Sequence, residues 1–345
     1  MRLLQQPGID PAKVVFLMPT TDGPCRFGQY LPCLMQTLED NGFPDTEVCS
    51  TSTSDVYANI GGLPAAFDRT AWRAVVCAEV LHKVLLRCRP YELHFGEADR
   101  AYEGCLDDLS RTVENAPVRA EPQMDALRSC LARCRRRFRE VALRRKEARP
   151  LIGIVGEVFC RLNEFSNDDL IRRLEECGAE AWLSDFGEWI KYAHAERHRN
   201  LRLSGQWLAR LCAWPRGLIQ QRDEHRLLEA FREELAGRDE PSIEEVLACA
   251  APYLPPEGVI GEMVVSVGRA AWLAGKGVDG IIDISPFSCM NGTVAEAVYP
   301  RLSRDLDGIP IRSFYFDGTQ SDLDGDLGAF LELAHSYRCD KRAAG

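Results

Sequence analysis

The chain has 345 residues, 46% of them hydrophobic and 27% charged, and a formal net charge of −10. That length supports two ordinary domains with buried cores, and the acidic balance argues against broad binding to a phosphate backbone, which needs a positive field. No apolar run approaches the ~18–20 residues that span a bilayer. The N-terminal stretch (MRLLQQPGIDPAK) lacks the apolar segment of a secretory signal, so a cytoplasmic protein with no nucleic-acid or membrane partner is expected. In that reducing setting the 14 cysteines point away from a disulfide framework and towards metal binding, redox chemistry or plain burial.

Taken in chain order, residues 13–19 read as a short apolar strand, 20–28 as a loop and 29–41 as an amphipathic helix stopped at Gly42. Residues 46–51 read as a second strand, which completes the strand–loop–helix–strand unit of a parallel sheet. Apolar residues recur at helical spacing over 68–89 (Trp72, Val75, Val76, Val80, Leu81, Val84, Leu85), and 93–115 and 122–146 also read as helices. A second lobe opens with a strand over 151–155, a loop over 156–166, a helix over 167–177 stopped at Gly178, and a strand over 179–183. Residues 186–252 carry no strand signal. Alternation resumes with a helix over 261–275, a strand over 280–284, a loop over 285–292, a helix over 293–306, a strand over 309–316 and a last helix over 327–337. The expected fold is α/β, with two Rossmann-like or flavodoxin-like lobes built on parallel sheets. The expected organisation is an N-terminal lobe over 1–90, a helical linking segment over 91–149, and a C-terminal lobe over 150–345 with a helical insertion over 186–256.

Three cysteines share one structural position. Cys25 lies just past the first strand, Cys160 just past the strand that opens the second lobe, and Cys289 just past the strand at 281–284. Ligands of parallel α/β sheets bind in the crevice outside the carboxyl ends of the strands. A helix follows each loop, and its N-terminus is expected to lower a nearby thiol's pKa and to favour the thiolate, the form that binds metal. Glycine or proline flanks Cys25 and Cys289 and allows close approach of a bulky group. With neither CxxC nor a ferredoxin-like run, the residues alone leave two readings open: a shared metal or cluster site, or three unrelated thiols.

The remaining candidates read as structural. Cys77, Cys88, Cys130, Cys134, Cys177, Cys212 and Cys249 fall in or at the ends of helices among apolar neighbours, and packing is the expected role, the i, i+4 pair Cys130 and Cys134 included. Cys33 is expected on the apolar face with Leu34 and Leu38, and is held as a reserve ligand. His194 and His198 stand at i, i+4 without an HExxH pattern and read as a solvated helix face. The basic run over 133–149, interleaved with Glu140 and Glu147, reads as an exposed helix or a docking surface for an acidic partner. GxxxxGK[ST] and GxGxxG are both absent.

The segments Gly23-Pro-Cys-Arg-Phe-Gly28, Gly156-Glu-Val-Phe-Cys-Arg-Leu-Asn163 and Asp279-Gly-Ile-Ile-Asp-Ile-Ser-Pro-Phe-Ser-Cys-Met-Asn-Gly292 resemble the 2-hydroxyacyl-CoA dehydratase superfamily. The nearer likeness is to its CoA-enzyme-activase-linked branch, related to the double-cubane cluster proteins. The resemblance covers both lobes and is weaker in the insertion. It implies a [4Fe-4S] cluster, or a larger cluster shared at a dimer interface, held by Cys25, Cys160 and Cys289 with one iron position open. It also implies low-potential electrons from an ATP-dependent activase of the sugar kinase/Hsp70/actin class, a small or acyl-CoA substrate, and a homo- or heterodimer. Arg26 and Arg161, each following a proposed ligand, could bind an anionic substrate, tune the cluster or form ordinary ion pairs. The alternatives are a non-catalytic Fe–S electron carrier and a structural metal-binding subunit of a partner enzyme.

Overall fold

A computed structural model of the chain describes residues 2, 4–21, 25–50, 65–117, 119–144, 149–255, 261–319 and 322–344. In chain order these form β1 (Val15–Leu17), α1 (Tyr30–Asp40), β2 (Glu47–Cys49), α2 (Ala65–Cys88), α3 (Glu97–Asn115), α4 (Ala120–Glu140), β3 (Leu151–Gly156), α5 (Val158–Leu162) and α6 (Leu170–Glu176). There follow β4 (Glu180–Leu183), α7 (Phe186–Leu203), α8 (Trp207–Leu228), α9 (Ile243–Ala250), α10 (Met263–Gly275), β5 (Gly280–Pro286), α11 (Met290–Asp305), β6 (Ile311–Phe316) and α12 (Leu323–Ala344). The chain divides into two compact units, residues 1–69 with 190–217, and residues 70–189 with 218–345.

The first unit carries a two-stranded parallel sheet, with Val15 opposite Glu47 and Leu17 opposite Cys49, joined across α1. The second carries a four-stranded parallel sheet in the order β4-β3-β5-β6. Both sheets are parallel, as the strand–helix alternation predicts. Strand β3 is apolar along its length because helices cover both of its faces. Its alternate residues part accordingly: Ile152 and Ile154 join the cluster under α6 and α12, while Val155 joins the cluster under α10 and α11. In β5, Ile282 and Ile284 go to the first side and Ile281 to the second. Burial of each such side chain contributes ~1.5–3 kcal/mol, so these two strands anchor the sheet.

Several element ends follow from local chemistry. Ser242 and Glu245 form a capping box at the start of α9, the Glu245 N–H donating to Ser242 Oγ (3.2 Å) and the Ser242 N–H to Glu245 Oε2 (2.7 Å). Helix α12 begins at Leu323, four residues before the sequence-predicted start, and runs on past Tyr337 to Ala344. Asp324 and Asp326 suit its N-terminal dipole, and Lys341 and Arg342 its C-terminal one. Residues 186–252 form no strand among the described residues. Among the described residues, no helix is long and apolar enough to cross a membrane.

Candidate metal centre

Strands β3 and β5 are neighbours, with β4 beyond β3 on one side and β6 beyond β5 on the other. Their carboxyl ends are therefore the topological switch point of the sheet, where a parallel α/β fold opens a crevice. Gly156 ends β3 at φ +116°, and a Cβ there would run into the backbone of Ile284 on β5. The Glu157 N–H then donates to the Ile284 carbonyl (2.8 Å) and fixes the outgoing loop to β5.

That loop contains a feature the sequence reading lacked, the five-residue helix α5, with Cys160 at its centre and 2% exposed. Glu157 caps it, its carboxylate accepting the N–H groups of Phe159 (3.0 Å) and Cys160 (2.7 Å). Asn167 Nδ2 donates to the Cys160 carbonyl (2.9 Å) and holds the loop from its far end. Just past β5, Cys289 is the N-cap of α11, which starts at Met290, three residues before the predicted position. Thr293 secures it through its N–H (3.0 Å) and hydroxyl (2.9 Å), both donated to the Cys289 carbonyl. Gly292 permits α11 to enter close to the strand, since a Cβ there would lie 2.5 Å from Ser285 Oγ.

The structure brings Cys160 and Cys289 into one electrostatic environment. Burial pushes the Cys160 thiol up to about 12, with further upward pushes from Glu157, Cys289 and Asp283. Burial also raises Cys289; the backbone N–H groups of Gly292 and Asn291 pull the other way, and Glu157 and Glu262 add to the rise. The lowered thiol pKa values expected from the helix ends are therefore not found at these two residues. At α5 the Glu157 carboxylate occupies the free N–H groups, and at α11 two amides are outweighed by desolvation.

Besides Glu157, two acidic groups border the thiols and were not singled out in the sequence. Glu262, the N-cap of α10, has its carboxyl raised to about 8, by burial and then by Glu157, against opposing pulls from Arg161 and the Val158 N–H. Asp283 on β5 is raised to about 6 by burial, although Tyr299 and Ser285 both donate hydrogen bonds to it. No sequence signal marked Glu262, which stands before an apolar helix with no motif around it. Asp283 had one: a charged residue inside an otherwise apolar strand.

Arg161 is buried rather than displayed to solvent. Its guanidinium donates to the carbonyls of Gly156 and Asp185, so it ties the ends of β3 and β4 together while its charge lowers Glu188, Glu262 and Asp283 against their burial. Beyond it lies a buried ionic network. Lys83 pairs with Asp185 (2.5 Å) and Glu240 (3.1 Å), and Arg269 with Glu240 (2.8 Å) and Glu188 (3.5 Å).

In the first unit, Cys25 is half-buried as the N-cap of the 3-10 turn Arg26–Gln29, its carbonyl accepting the Gly28 N–H at 3.1 Å. Residues 22–24 of its loop lie outside the described residues. Arg26 is exposed. Cys33 is exposed on α1 while Leu38 is buried, which corrects the expectation that Cys33 belongs to the core face. His194 is half-buried rather than on a solvated face, and burial beside Arg216 and His198 lowers it to about 4.

The basic helix α4 pairs several of its charges within the chain. Arg135 and Arg139 both pair with Glu233 and Glu234, and Arg133 pairs with Asp108. Cys130 and Cys134 are buried, as packing predicts, and with Asp108 of α3 they bring their donor atoms within 4.8 Å of one another, a group that could hold a metal ion.

No family model matches the chain, and neither the curated proteins nor the solved structures compared with it yield a match. The fold and site define the class directly: an α/β protein with a buried thiol, Cys160, and a half-buried one, Cys289, at the switch point of a parallel sheet.

Proposed function

We propose that the chain is an iron–sulfur redox protein resembling 2-hydroxyacyl-CoA dehydratase subunits, with Cys25, Cys160 and Cys289 as cluster ligands. The observation that carries this reading is the placing of Cys160 and Cys289, 129 residues apart in sequence, just past adjacent strand ends, near enough that Cys289 raises the Cys160 thiol. Cys25 enters as the third ligand on its equivalent place after β1.

The donor set suits the group. Soft sulfur ligands favour iron–sulfur clusters, and the N–H groups of Asn291 and Gly292 favour an anionic sulfur at Cys289. Asn291 Oδ1 is buried beside them without a hydrogen-bond partner. Because burial keeps both thiols protonated at neutral pH, loading a metal releases their protons, and it is favoured by rising pH. A bound [4Fe-4S] cluster, or a larger one shared at a dimer interface, would supply single low-potential electrons delivered by an ATP-dependent activase. The carboxylates of Glu157 and Asp283 disfavour added negative charge nearby and so lower the potential, with Arg161 offsetting part of the effect.

Glu262 favours a catalyst over a simple carrier. Its carboxyl, raised to about 8 by burial and by Glu157, holds a proton at neutral pH. That proton can be given to the leaving hydroxyl of a small or CoA-linked substrate.

Single replacement of Cys25, Cys160 or Cys289 by Ser, in protein purified without air, is expected to abolish or change the visible and EPR spectra. Cys249→Ser is expected to leave them intact, and equal loss in both sets contradicts the ligand assignment. Addition of acyl-CoA to the reduced protein separates the two roles: a changed EPR signal supports a catalyst, and an unchanged one a carrier.

A further inference from the structure

A second thiol group lies on different elements, in the seam between α3 and α4. Cys105 of α3 and Cys130 and Cys134 of α4 are each fully buried and unbridged. Cys105 Sγ lies 3.9 Å from the Cys134 carbonyl, and Cys134 Sγ 3.9 Å from the Cys105 carbonyl, so the two helices meet at these residues. Asp108 follows Cys105 by three positions and Cys134 follows Cys130 by four, spacings that put each pair on one helix face. The donor atoms of Asp108, Cys130 and Cys134 all fall within 4.8 Å of one another. Tetrahedral zinc with Zn–S bonds of about 2.3 Å needs sulfurs about 3.8 Å apart, a contraction that rotamer adjustment can supply.

Two arginines lie against these donors. Arg133 holds Asp108 through two hydrogen bonds, Nε to Oδ2 (3.0 Å) and Nη2 to Oδ1 (2.9 Å), which leaves carboxylate lone pairs free. Arg137 Nη1 lies 3.6 Å from Cys105 Sγ.

We propose that Cys105, Asp108, Cys130 and Cys134 form a structural zinc site that clamps α3 to α4, built independently of the strand-end thiols. Three soft sulfurs and one carboxylate select a zinc-like ion over magnesium or calcium, and a closed four-ligand shell leaves no position for substrate. Binding displaces the remaining thiol protons to solvent, and Arg133 and Arg137 offset the negative charge of the filled site.

Cobalt(II) titration tests this in the full-length chain with Cys160 and Cys289 both replaced by Ser, which removes the strand-end pair. The expected result is thiolate-to-cobalt charge-transfer bands with tetrahedral d–d bands, saturating at about one ion per chain and bleached by added zinc. Adding Cys130→Ser and Cys134→Ser should abolish the bands. Since those changes touch a packed seam, Asp108→Asn serves as the second variant: it should keep the bands but weaken cobalt binding about tenfold or more. Absence of the bands in the Cys160→Ser/Cys289→Ser chain, or their persistence after loss of Cys130 and Cys134, overturns the proposal. So does unchanged affinity in Asp108→Asn.

Discussion

At the scale of single residues, Glu262 is the group whose titration matters most. Its carboxyl ionises near pH 8 in the folded chain and near 4.5 when unfolded. Between those values the unfolded chain has lost a proton that the folded chain keeps, so this group's contribution to stability falls as pH rises through that window. Glu262→Gln cannot ionise. It is expected to match the parent below pH 4.5 and to exceed it by about 1–2 kcal/mol above pH 8, after allowance for water reaching a half-buried site. Urea unfolding across pH checks this, and a gain that is independent of pH contradicts it. The same variant should lower any dehydration activity, because the amide cannot donate the proton. Nothing around Glu262 in the sequence announced its place beside the thiols, whereas Cys160 and Cys289 were legible from their places after apolar strands. Cys105 was missed for a related reason. It stands alone on α3, and only the packing of α3 against α4 joins it to Cys130 and Cys134.

Among elements, the helices of the second unit are tied by a buried ion pair. Arg73 of α2 is fully buried and donates to Asp223 of α8 through Nε (2.7 Å) and Nη2 (3.1 Å). Its Nη1 reaches Gln123 Oε1 (2.9 Å) and the Ala120 carbonyl (2.6 Å) on α4, so one side chain joins three helices. Asp223→Leu alone is expected to cost about 3–5 kcal/mol, since it strands a buried guanidinium. Arg73→Met together with Asp223→Leu should recover most of that loss, which denaturant titration of the single and double variants would reveal; a double variant no more stable than the single contradicts the account. Helix periodicity made α2, α3 and α4 legible in outline, while the partner of Arg73 was not, because 150 residues separate it from Asp223. Helix α5 escaped notice because five residues are too few for a periodic pattern, and a side-chain cap from Glu157 sets it up.

For the whole molecule, the alternation of strands and helices was enough to read a parallel α/β fold, but not the neighbour order β4-β3-β5-β6. That order depends on pairings between distant segments and decides which strand ends face the same crevice. It turns Cys160 and Cys289 from two thiols in similar loops into a pair. The measurement that tests the central claim most directly is the iron and acid-labile sulfide content of the chain isolated without air, compared with its Cys160→Ser/Cys289→Ser variant. The account predicts iron and sulfide in near-equal amounts in the parent, at about four of each per chain or more, and their loss in the variant. A colourless parent free of iron and sulfide, even after anaerobic reconstitution, would contradict it.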